Sequence, residues 1–125
     1  MAKNVRVLIV EDHDMARMGL SVVLGNNDKI EVVGMSADGQ DGVDKALELI
    51  PDVVIMDIPY GVYSPFSYEQ QLDLLKGAFS LAPSLLLVSH IPMNKELETL
   101  GYEILDCATI IKGSFQRYMT LCWKK

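Results

Sequence analysis

The stretch Val7–Asp14, VLIVEDHD, runs four apolar residues straight into Glu11 and Asp12 with no glycine turn between them. A continuous apolar run, in place of strict alternation, is the mark of a strand covered on both faces, as in parallel sheets. Acids at the end of such a strand lose hydration and need a compensating partner. Three further segments repeat the pattern: DVVIMD (Asp52–Asp57), SLLLVS (Ser84–Ser89) and ATIIK (Ala108–Lys112). IEVVG (Ile30–Gly34) reads as a weaker strand, so with VRVLIV (Val5–Val10) there are five.

Between these runs apolar residues recur at three- and four-residue spacing: Met15, Met18 and Val22; then Val43, Ala46, Leu47 and Ile50; then Leu72, Leu75 and Phe79; and finally Phe115, Tyr118, Met119 and Cys122. Such stripes predict helices whose apolar side faces a core. GNND (Gly25–Asp28) closes the first helix, Pro51-Asp52 the second, and Pro83 precedes the fourth strand. The segment Ile58–Tyr68 reads as a long irregular connection, and the helix after Ser89 is weak, with Gly101 interrupting it. Alternating strands and helices predict right-handed crossovers and one α/β domain over residues 1–125: a doubly wound, five-stranded parallel sheet with helices on both faces. In such sheets the functional crevice lies outside the carboxyl ends of the strands.

Composition narrows the function classes. A chain of 125 residues, half of them hydrophobic, is the size of one domain with a core of its own. No run approaches ~18 apolar residues and no basic start leads into a signal-like segment, so a soluble cytoplasmic protein without membrane contact is expected. Cys107 and Cys122 form no Cys-x-x-Cys motif, which leaves little support for a zinc site or a disulfide. A net charge of −6 with scattered Lys and Arg argues against direct nucleic-acid binding.

The strand ends share one property. Glu11 and Asp12 follow the first strand, Asp57 ends the third, Ser89 the fourth and Lys112 the fifth. Each alone has an ordinary explanation: Asp12 or Asp14 as a cap of the first helix, Ser89 as a cap of the fourth, Lys112 as a counter-charge to Asp57. Together they would gather three carboxylates at one edge, which repel unless a cation sits among them, and hard oxygen ligands that leave positions to water suit Mg²⁺. A carboxylate beside a divalent cation, a lysine and a hydroxyl is equipment for phosphoryl transfer onto aspartate, with Asp57 as nucleophile.

The order VEDHD, VVIMDI, LLVSH, IIKG resembles the receiver domain of bacterial two-component response regulators over nearly the whole chain. The first half, through EVVGMSADGQDGVDKALELIPDVVIMDI, is most similar to receivers whose proteins carry a C-terminal helix-turn-helix output domain. The resemblance implies a flavodoxin-like sheet of order 2-1-3-4-5 and a regulatory phosphoacceptor that catalyses only its own phosphorylation and dephosphorylation. It implies Asp57 as acceptor, Mg²⁺ held by Asp12, Asp57 and the Pro59 carbonyl with Glu11 acting through water, and Ser89 and Lys112 as switch hydroxyl and phosphate-binding lysine. The implied partners are a sensor histidine kinase, an output domain that regulates transcription, and a second receiver in a homodimer.

The second half departs from the family pattern. Proline stands at position 59 in DIPYGVYSPFSYE, where a Met-Pro-Gly turn is usual; Thr109 occupies the place of a Tyr or Phe switch residue; and Leu105-Asp106 replaces Gly-Ala. The chemistry is expected to be intact and signal transmission altered. A receiver-like interaction module controlled by contact or ligand, without phosphorylation, is the competing reading, though such modules commonly lose acids or lysine that this chain keeps. A flavodoxin-like carrier or Mg²⁺-dependent hydrolase is disfavoured because no glycine-rich or Ser/Thr-rich phosphate loop follows the first strand.

Overall fold

A computed structural model describes residues 4–57, 68–112 and 115–124 of the chain. The elements run β1 (Val5–Val10), α1 (Asp14–Gly25), β2 (Ile30–Ser36), α2 (Gly39–Leu49), β3 (Val53–Asp57), α3 (Tyr68–Phe79), β4 (Ser84–Ser89), α4 (Asn94–Leu100), β5 (Tyr102–Lys112) and β6 (Phe115–Lys124).

The sheet has six strands in the order β2-β1-β3-β4-β6-β5. The first four strands pair in parallel, as their unbroken apolar runs require, with Ile9 beside Ile55 and Ile55 beside Leu86. β6 is antiparallel both to β4, with Ser89 opposite Tyr118, and to β5, with Thr109 opposite the same Tyr118. Two antiparallel steps leave β5 parallel to β4 but one strand away from it.

This corrects the predicted all-parallel, five-stranded sheet of order 2-1-3-4-5 and the predicted final helix. The spacing of Phe115, Tyr118, Met119 and Cys122 fits a helix, yet Tyr118, Thr120 and Cys122 also alternate with period two. In a segment rich in aromatic and β-forming residues that second period wins. Thr120 and Cys122 are buried on the sheet face that also carries Leu85 and Leu87. The Cys122 thiol donates to the Leu85 carbonyl at 3.5 Å, and burial pushes its pKa up to about 12, so it is an inert core group.

Helices lie on both faces. Leu8, Val10, Val54, Met56, Leu85 and Leu87 pack with Ala46 of α2, Leu75 of α3 and Leu97 of α4 on one side. Val7, Ile9 and Ile55 pack with Leu20 and Leu24 of α1 on the other. The Met15, Met18 and Val22 stripe, expected to face a core, is instead 79%, 66% and 63% exposed, because α1 turns Leu20 and Leu24 inward. Leu47 and Ile50 are likewise exposed while Ala46 is buried; in the third helix Leu75 is buried and Leu72 and Phe79 pack against the core.

Local chemistry fixes the joints near the carboxyl edge. Asp38 caps α2 by accepting the Asp41 N–H at 2.8 Å, which stops β2 and redirects the chain. Gly101, at φ 106°, ends α4 in the left-handed conformation that glycine adopts without strain, and β5 starts at the next residue.

Candidate acidic site at the carboxyl edge

Glu11 follows the last residue of β1, and its N–H donates to the Ser36 carbonyl of β2 at 2.9 Å, carrying the ladder one step past the strand. Val10 pairs with Met56, so one further step sets Glu11 level with Asp57 and, by the two-residue alternation of strands, on the same sheet face. The two carboxyl groups meet there. Glu11 is only 3% exposed; its Oε1 accepts the His13 N–H at 3.1 Å, and its Oε2 is buried with no donor among the described residues. Two ionised carboxylates placed side by side and buried repel, which favours the protonated form of one of them.

The electrostatics agree. Burial, then the hydrogen bond and charge of Asp57, push the Glu11 pKa up to about 8; the charge of Asp12 adds to this and the His13 N–H opposes it. Burial also raises Asp57, aided by the charge of Asp12 and opposed by Glu11, Arg117 and His13. Both shifts favour the neutral carboxyl form relative to an ordinary exposed acid.

The β1–α1 turn is tied by groups that sequence reasoning missed. His13, not Asp12 or Asp14, caps α1, its Nδ1 accepting the Ala16 N–H at 3.3 Å. Arg17 donates from Nη1 to the Glu11 carbonyl at 2.7 Å and pairs with Asp14. The spacing of Arg17 one helical turn beyond the acids was the available signal.

The remaining predicted residues fall into three groups. Asp12 is exposed beside the pair. Ser89 is fully buried and its hydroxyl donates to the Ile91 carbonyl at 2.7 Å, so it does not cap α4, whose cap position is Met93. Thr109 is exposed on β5, and the backbone of Lys112 stands at the end of that edge strand, next to Phe115; the structure does not bring either strand position beside β4, because β6 lies between. Pro59 lies outside the described residues. Among the described residues no three His, Cys, Asp or Glu side chains converge as metal ligands. The donor chemistry nonetheless suits a hard cation: a buried carboxyl group with an orphaned oxygen (Glu11), a half-buried one level with it (Asp57), and the exposed Asp12 carboxylate beside them. No helix among the described residues is long and apolar enough to cross a membrane.

A doubly wound sheet with acids at the carboxyl ends of the adjacent strands β1 and β3 defines a class of acidic-site α/β domains, and comparison narrows it. No family model matches the chain. The transcriptional regulatory protein LiaR of Bacillus subtilis is 50% identical over 54 residues, 43% of this chain but 26% of LiaR, so the match spans about a quarter of that relative. The response regulator domain of Thermotoga maritima CheB superposes with a TM-score of 0.62 at 30% identity, over 79% of this chain and 74% of that one. The chain belongs to the receiver-domain family of two-component response regulators, a family of regulatory signalling domains. A magnesium protoporphyrin IX methyltransferase from Synechocystis superposes over 98% of this chain and 71% of its own, with a TM-score of 0.62 at 13% identity, a likeness of fold alone.

Proposed function

We propose that the chain is a phosphoryl acceptor that takes its phosphoryl group onto Asp57 from a sensor histidine kinase. An Asp57 carboxylate oxygen attacks phosphorus, the O–P bond forms as the P–N bond of phosphohistidine breaks, and the imidazole leaves with the electron pair and takes up a proton. The observation that carries this reading is the level placement of Glu11 and Asp57, two partly desolvated carboxyl groups at the ends of the adjacent strands β1 and β3. Asp57 has to be deprotonated to attack, and the raised pKa that burial gives it is what a bound cation would offset.

Asp12, Asp57, the Pro59 carbonyl and, through water, Glu11 would hold Mg²⁺. When bound, the ion supplies positive charge that offsets the carboxylates and the transferring oxygens. Ser89 would exchange the Ile91 carbonyl for a phosphoryl oxygen, shifting the β4–α4 connection and so altering the surface offered to an output domain, a DNA-binding partner region or a second receiver. The test is intact mass after incubation with acetyl phosphate and Mg²⁺: the wild type should gain one phosphoryl group and Asp57→Asn should not. An adduct that persists in Asp57→Asn overturns the assignment.

A further inference from the structure

We propose that Arg117 of β6, and not Lys112, is the cation that holds the phosphoryl group on Asp57; the inference rests on Asp57 being the acceptor. The register carries it. Asp57 pairs with Val88, and Val88 with Met119, so Arg117 lies two residues beyond that level toward the carboxyl edge of β4. Paired residues share a face and alternate residues return to it, which puts Glu11, Asp57 and Arg117 on one side of the sheet. Two strand spacings and two residues of rise separate the Asp57 and Arg117 backbones by about 12 Å, a gap that an extended arginine and an aspartyl phosphate close between them.

Lys112 is placed otherwise. Its backbone stands three strands from β3 and four residues past the Asp57 level, about 19 Å away by the same spacings, about 7 Å farther than the Arg117 backbone. The insertion of β6 beside β4 is the cause: the strand that borders β4 on the side away from β3 now brings its own cation.

Arg117 is half-buried, its Nη1 donates to the Gln116 carbonyl at 2.8 Å, and its charge acts favourably on the Asp57 carboxylate. A guanidinium presents several N–H groups in a plane that matches two phosphoryl oxygens at once, and it stays charged throughout. With acetyl phosphate as donor, the Asp57 oxygen bonds to phosphorus, the P–O bond to acetate breaks and acetate leaves with the electron pair. Arg117 transfers no proton; it neutralises the equatorial oxygens.

The experiment compares wild type, Arg117→Ala, Arg117→Lys and Lys112→Ala for the rate of phosphorylation by acetyl phosphate, for beryllofluoride affinity by fluorine NMR, and for Mg²⁺ affinity. Arg117→Ala should lose about tenfold or more in rate and beryllofluoride affinity, the size expected for one charged hydrogen-bonding group, while keeping its Mg²⁺ affinity. Arg117→Lys should recover part of the loss, and Lys112→Ala should match wild type. If Arg117→Ala does not fold, Arg117→Gln gives the same reading. Loss in Lys112→Ala with wild-type behaviour in Arg117→Ala overturns the proposal and leaves Asp57 as acceptor. A wild type that gains no phosphoryl group removes both.

Discussion

Glu11 and Asp57 stand level with each other at the ends of the adjacent parallel strands β1 and β3, where burial raises the pKa of both. Raised pKa values at this pair make protons competitors of any cation the site would bind, which gives the site a pH dependence.

Stability without metal should fall as pH rises. The folded Glu11 pKa of about 8 lies above the ordinary 4.5, and Asp57 is shifted the same way, so the folded state binds more protons than the unfolded chain between those limits. The stabilisation is complete below pH 4.5 and is lost as pH climbs through about 8, with a slope of at most about 1.4 kcal/mol per pH unit for each proton. Urea unfolding in EDTA at pH 5, 6.5 and 8 checks this, and Glu11→Gln should flatten the profile. A stability that increases from pH 5 to pH 8 in the wild type contradicts the raised pKa values.

Magnesium should bind with proton release. Because the cation and the proton compete for one pair of carboxyl groups, Mg²⁺ affinity should increase between pH 6 and pH 8, in the window set by the raised Glu11 pKa of about 8. Calorimetry in two buffers of different ionisation enthalpy measures the protons released. Asp12→Ala should weaken binding strongly, and unchanged affinity in that variant would remove Asp12 from the site.

Tyr102→Phe should leave the protein as stable as before or more so. The Tyr102 hydroxyl is buried with no hydrogen-bond partner among the described residues, while its ring packs edge-on against Phe79 with centroids 5.0 Å apart. Removing the hydroxyl ends a desolvation penalty and keeps the ring contact. A thermal melt is sufficient, and a loss of more than about 1 kcal/mol would mean that the hydroxyl is satisfied in solution.

Thr109→Ala should change neither stability, beyond about 0.5 kcal/mol, nor the response to beryllofluoride, since Thr109 is exposed on the edge strand with β6 between it and β4. Amide NMR of the free and analogue-bound variant reads both. An aromatic ring does neighbour Ser89, but it is Tyr118, its partner in register.

The sequence was most informative where one physical signal acted alone. The apolar runs at Val5–Val10 and Ser84–Ser89 are strands with those same bounds, since only a strand covered on both faces tolerates such a run. The acids at positions 11 and 57 could be assigned to one edge because parallel strands all point the same way. Reading failed where two periods coincide: residues 115–122 satisfy both helical and strand spacing, and only pairing with β4, a contact remote in sequence, decides between them. That one ambiguity also displaced Lys112 and hid Arg117, because the neighbour of β4 determines which cation reaches Asp57. The α1 stripe misled for another reason: Met15, Met18 and Val22 have the right spacing, but Leu20 and Leu24 meet the sheet.

The ladder β4-β6-β5 inverts the order of synthesis. Residues 102–112 are made first, yet they have no seat in the sheet until residues 115–124 have slid in against β4. Until then the open edge of β4, flanked by Leu85 and Leu87, is a template for any passing strand. A ribosome releasing this chain would expose that edge for the time needed to translate the whole hairpin. A stop codon shortly after Lys112 would therefore cost two strands, and such a fragment should be a client of chaperones or an aggregate, not a smaller version of the same domain.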